Sequence, residues 1–67
     1  MTVARVTKLT ASSGESFQGA VKEALSRASQ TLRGISGLEV LSQKAKVVDG
    51  KIAEYRVTLE VTFIIED

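Results

Sequence analysis

Residues 55–65 read Tyr55-Arg56-Val57-Thr58-Leu59-Glu60-Val61-Thr62-Phe63-Ile64-Ile65. Every odd position is apolar, while the even ones carry Arg, Thr, Glu and Thr before Ile64. Successive side chains of a strand point to opposite faces, so a strict period of two specifies a long, half-buried strand. Its apolar face carries Tyr55, Val57, Leu59, Val61, Phe63 and Ile65 and requires a covering layer. Its other face carries Glu54, Arg56, Thr58, Glu60, Thr62 and Ile64. Threonine suits a strand even where it is exposed, so this face is fit either for solvent or for another chain.

Just upstream stands Asp49-Gly50, the pair favoured in a two-residue hairpin, whose central residues both need positive φ. It divides a strand over 38–48 from one over 51–65. Residues 34–37, Gly-Ile-Ser-Gly, then read as a connection, with Gly34 as the C-terminal cap of a helix over 16–33 and Arg33 near the negative end of its dipole. Phe17, Val21, Ala24, Leu25, Ala28 and Leu32 form one stripe at helical spacing. Glu23 and Arg27 stand at i, i+4 in the favourable order, worth about 0.2–0.5 kcal/mol. Residues 10–16 read as a loop into that helix. Ser12 with Glu15 has capping-box spacing, and Ser16 is an equally good cap. Residues 3–9, rich in β-branched side chains, predict a short first strand. The fold class is α+β in the order β-α-β-β: a three-stranded antiparallel sheet packed on one helix, with the strand order left open.

The chain has 67 residues, one domain over 1–67. A domain of this size buries only about 60% of the surface its unfolded chain exposes. Small domains offset this with disulfides, metals or assembly. With Cys 0 and His 0, neither a disulfide nor the usual zinc ligands are available, which leaves self-association. Nine Lys and Arg against eight Asp and Glu give a net charge of +1, so neither nucleic acid nor a membrane is an expected partner. The first residues lack a signal-peptide pattern and no apolar run is long enough to span a bilayer, so the expected location is the cytoplasm.

Catalytic constellations are absent. No Cys nucleophile or His base exists, and the serines have no activating partner, so the chain does not read as an enzyme. Lys44 and Lys46 share a strand face near Glu54 and Arg56, where cross-strand pairs contribute about 0.2–1 kcal/mol each. No calcium-loop pattern occurs; Glu66-Asp67 could hold a hard cation only weakly and reads by default as a frayed acidic tail, so no metal site is expected.

The chain resembles the dodecins, small flavin-binding proteins of bacteria and archaea. The likeness runs nearly end to end: the first strand, Thr-Ala-Ser-Ser-Gly-Glu-Ser-Phe, the helix segment Ala-Leu-Ser-Arg-Ala-Ser-Gln-Thr-Leu-Arg, Leu-Glu-Val, Val-Asp-Gly-Lys-Ile-Ala-Glu-Tyr-Arg-Val and Leu-Glu-Val-Thr-Phe. The resemblance implies a sheet wrapped around one helix and a homododecamer forming a hollow shell. It implies flavin (riboflavin, FMN or FAD) stacked between aromatic rings at two-fold contacts, for storage or protection; some members bind other ligands or metal ions, including calcium. The family's stacking Trp aligns with Gly37, and a Gln that meets the flavin edge aligns with Arg56. Ser42 and Lys44 align near further ligand-contacting positions. The expected cofactor site is therefore Gly37, Ser42, Lys44 and Arg56, with flavin affinity weakened because there is no Trp. The alternative is a shell of the same fold that holds another small molecule or a metal ion, or is structural.

Overall fold

A computed structural model of the chain describes residues 2–65. Strand β1 (Val3–Ser13) leads into helix α1 (Phe17–Thr31), followed by β2 (Ile35–Val48) and β3 (Lys51–Ile65). The long alternating strand β3 is the centre of the sheet, in the order β1-β3-β2, with both neighbours antiparallel to it. β1 and β2 therefore run parallel to each other without being neighbours, and the helix needs no tight crossover.

The hairpin forms as its Asp-Gly pair requires, with Asp49 at φ 52° and Gly50 at φ 75°. The apolar face of β3 meets the helix: Val57, Leu59 and Val61 are fully buried, each contributing about 1.5–3 kcal/mol. Phe17 packs edge-to-face on Tyr55 with ring centroids 5.0 Å apart, which fixes the start of the helix over the first third of β3.

Four local expectations need correction. First, β1 continues to Ser13 rather than ending at 9, because Ala11, Ser12 and Ser13 pair with Val57, Arg56 and Tyr55. Pairing along a long central strand overrides the weak strand preference of Ser and Ala. Second, β2 begins at Ile35 rather than 38, as Ile35 pairs with Phe63 and Gly37 with Thr62. Third, the helical stripe is turned toward its small residues. Ala20, Ala24 and Ala28 are buried, whereas Leu25 is 37% exposed. Three alanines at i, i+4, i+8 let the helix approach the bulky β3 face closely, and Leu25 falls to one side of that seam. Fourth, the helix ends at Leu32, whose N–H donates to the Ala28 carbonyl, rather than at Gly34. Gly34, at φ 74°, serves the entry into β2, where its carbonyl accepts from the Ile64 N–H at 2.9 Å. At the other end Ser16 is the N-cap, its Oγ accepting from the Gly19 N–H at 2.8 Å. Ser12, the other candidate, lies in β1.

The molecule is long, with extents of 52 × 19 × 13 Å and a radius of gyration of 13.8 Å. A compact chain of this length would have about 11 Å. The helix lies over β1 and β3, and the β2–β3 hairpin runs on past it, leaving Val47, Val48 and Ile52 exposed.

Candidate functional site

The face of the sheet turned away from α1 is built by register. Because Val57, Leu59 and Val61 face the helix, the even residues of β3 face outward, and Arg56, Thr58, Glu60 and Thr62 each bring a neighbour from either side. The rows run Val6–Thr62–Gly37, Lys8–Glu60–Glu39, Thr10–Thr58–Ser42 and Ser12–Arg56–Lys44, followed by Glu54 beside Lys46. All four candidate residues, Gly37, Ser42, Lys44 and Arg56, therefore share one face.

That arrangement depends on an irregularity in β2. Val40 pairs with Leu59 and Ser42 with Thr58, so Leu41 is an extra residue in a bulge. A strictly alternating β2 would put Gly37 on the opposite face from Lys44. With the bulge, Gly37 and Glu39 join Ser42, Lys44 and Lys46.

The four residues are not one cluster. Ser42, Lys44 and Arg56 occupy adjacent rows. Gly37 lies four residues along β3 from the Ser42 row and six from the Lys44–Arg56 row, about 13 and 20 Å at the rise of a strand. No single planar ring of flavin size bridges that span within one chain. On the helix side, the backbone of Gly37 also borders an open groove of about 340 Å³ with Leu25, Ser29, Ile35, Ser36 and Leu38. A Cβ at Gly37 would meet nothing within 4 Å, and its φ lies outside the left-handed region. Neither the backbone nor the packing demands glycine there. A larger cleft, about 670 Å³, lies between β1 and α1 and is lined by Thr7, Leu9, Glu23, Arg27 and their neighbours. It touches none of the four candidates.

Arg56 is partly tethered. Its Nε–H donates to Glu54 Oε1 at 2.5 Å, two residues away on the same face. The hydrogen bond from Arg56, with the charges of Arg56 and Lys46, holds the Glu54 carboxyl below its ordinary value against the opposing cost of desolvation. Ser12 completes the Arg56 row, and Thr10 Oγ1 lies 3.1 Å from Thr58 Oγ1 in the next. Both β1 residues were hidden by the loop expected over 10–16. The signal that reveals them is length, since a 15-residue central strand needs an edge partner longer than seven residues. The Glu23–Arg27 pair forms at 4.0 Å with both side chains exposed. Among the described residues no group of three or more metal-binding side chains occurs, and Glu66-Asp67 lies outside them. No helix among them is long and apolar enough to cross a membrane.

Comparison with known proteins gives a consistent result. The family model for Dodecin matches residues 3–66. A curated dodecin of Thermus thermophilus is 35% identical over 60 residues, covering 90% of this chain and 87% of that protein. The solved dodecin of Streptomyces coelicolor superposes with a TM-score of 0.93 at 35% identity, covering 98% of this chain and 94% of that one. A protein from Mycobacterium tuberculosis, described as a calcium dodecin with a novel calcium-binding site, gives a TM-score of 0.82 at 34% identity, covering 96% of this chain and 91% of that one.

Proposed function

The chain belongs to the dodecin family, and on that footing we propose that it is a self-assembling small-molecule-binding protein, a homododecamer that holds flavin weakly. The observation that carries this reading is the separation of the candidate residues. Ser42, Lys44 and Arg56 form one end of a ligand face and Gly37 the other, too far apart to serve one small ligand within a single chain. A second chain set against this face would bring one end opposite the other. The surface supports such assembly. The chain exposes 5053 Å², against about 4,100 Å² for a compact monomer of its mass. The surplus is comparable to one partner's share of a standard interface, about 800 Å².

Weak rather than tight flavin binding follows from Gly37. Each aromatic ring stacked on a base-like heterocycle contributes about 1–3 kcal/mol, and no ring stands at this position. The role would then be storage or protection of flavin, carried out in the cytoplasm, with no catalytic residue. The test is a fluorescence titration of riboflavin and FMN with the native protein and with Gly37→Trp. The native protein should quench flavin only at high concentration. Gly37→Trp, entering open space, should tighten binding by about tenfold or more. Flavin left unquenched by the native protein at high concentration removes the flavin reading.

Gly37 also favours a second reading, in which the same shell takes another small molecule or a metal ion, or is structural. The calcium-binding relative makes Ca²⁺ the first ion to try. Protein isolated yellow from its native host, with flavin in fixed ratio to subunits, would exclude this alternative.

A further inference from the structure

The hairpin tip is held less by the rest of the chain than any other turn. It runs past the helix, and Val47, Val48 and Ile52 around it are exposed. The ladder beneath it is irregular, since Lys46 pairs with Glu54 but Val47 with Ile52. Asp49 and Gly50 close the tip at φ 52° and 75°, both positive as in a type I′ turn. They form the one Asp-Gly step in the sequence. Among the described residues, no hydrogen bond or ion pair engages the Asp49 carboxylate. A Cβ at Gly50 would meet nothing within 4 Å, so the turn has open space to rearrange.

We infer that Asp49-Gly50 is a site of spontaneous backbone rearrangement, where the folded turn promotes closure of a succinimide and its opening to isoaspartate. Gly50 N attacks Asp49 Cγ. The N–Cγ bond forms, the Cγ–OH bond of the protonated carboxyl breaks, and the amide proton leaves with that hydroxyl as water. Water then adds back to one of the two ring carbonyls. Attack at Cγ restores aspartate. Attack at the α-carbonyl breaks its bond to Gly50 N and leaves the chain running through Cβ, with a free α-carboxylate. One water is lost and one regained, so no oxidant or reductant is needed.

The turn favours this closure. Closing the five-membered ring eclipses Gly50 N with Asp49 Cβ about the Cα–C bond, which for an L-residue is ψ of about −120°, the type II′ value. The first central φ of a type II′ turn, about +60°, is shared with type I′. Asp49 already holds that φ. One rotation of the Asp49–Gly50 peptide therefore converts type I′ to type II′ and sets the nitrogen against the carboxyl. Both turns fit a two-residue hairpin, so the strands stay paired during the rotation. The rotation reverses the sign of φ at residue 50, which glycine accepts without steric cost. The product no longer fits. An isoaspartyl residue adds a methylene to the loop and opens the closing pair Val48–Lys51. Its free α-carboxylate is the group that an isoaspartyl methyltransferase esterifies with S-adenosylmethionine, so an aged subunit carries its mark at the tip.

The test ages the full-length native protein for several weeks in warm, mildly acidic buffer, beside the same protein unfolded in denaturant. Circular dichroism verifies the two states. Trypsin releases Val47–Lys51 as one peptide. Isoaspartate in it is read by chromatography with electron-transfer fragmentation, and by labelling with an isoaspartyl methyltransferase. Isoaspartate should accumulate at residue 49 several-fold faster in the native protein than in the unfolded one. Asp49→Glu, which would need a six-membered ring, should lose the signal. No isoaspartate at Asp49 in the native protein, a reaction no faster there than in the unfolded chain, or a signal that survives in Asp49→Glu overturns the inference.

Discussion

Gly34 and Gly37 bracket the start of β2 and look interchangeable in the sequence, yet they do opposite things. Gly34 sits at φ 74°, and a Cβ there would lie 3.0 Å from the Ile64 carbonyl oxygen. That oxygen is backbone in the central strand and has no freedom to move aside. Gly34→Ala should destabilise the protein by about 1–2 kcal/mol, read as a lower urea midpoint at fixed protein concentration. Gly37→Ala should leave the midpoint unchanged, since its surroundings are open. Glu54 gives a second prediction at this scale. Its folded pKa is depressed below 4.5, so its pairing with Arg56 stabilises the fold above that value and is lost as pH falls through the depressed one. Glu54→Gln should therefore flatten the acid limb of the stability curve below pH 4.5, with little effect at neutral pH because solvent screens this half-exposed pair.

The helix shows how far periodicity carries at the level of an element. Its position and its amphipathic character were legible at a spacing of 3.6, and so was its cap at Ser16, one of two serines the sequence offered. The angle at which it meets the sheet was not. Leucine at 25 is more apolar than alanine at 20, but Ala20 is fully buried and Leu25 is 37% exposed. The branched and aromatic side chains of β3 fill the layer, leaving room only for small residues opposite. Ala24→Leu should therefore lower the thermal midpoint, costing about 1–3 kcal/mol through overpacking. Leu25→Ala should change it little, within about 0.5 kcal/mol. β1 carries a similar lesson, since residues 10–13 have loop-like composition and become strand through their partners at 55–58.

The whole molecule is shaped for company. β2 lies at one edge of the sheet, and Leu38, Val40 and Leu41 along it are each more than one-third exposed. Val40 pairs with Leu59 and so stands on the helix side, in a region the helix does not fully cover. A Lys at this site points a charge into any chain packed there, and its long stem can carry that charge to the open part of the site. Val40→Lys should lower the sedimentation coefficient toward that of a single chain and leave the far-ultraviolet circular dichroism unchanged. Native protein sedimenting as a stable monomer at micromolar concentration would contradict assembly altogether. The fold relation to the dodecins reaches nearly the full chain.

The sequence by itself determined the two faces of β3, the hairpin turn at Asp49-Gly50, the helix and the order of elements. These follow from side-chain alternation, helical spacing and a local need for positive φ, all written within a few residues of one another. Only the tertiary structure decided that β3 lies between β1 and β2, that an alanine seam rather than Leu25 meets it, and that the bulge at Leu41 places Gly37 on the face of Ser42, Lys44 and Arg56. Those outcomes come from pairing between strands distant in the chain and from the depth available between two layers. Neither quantity leaves a periodic trace in the residues that obey it.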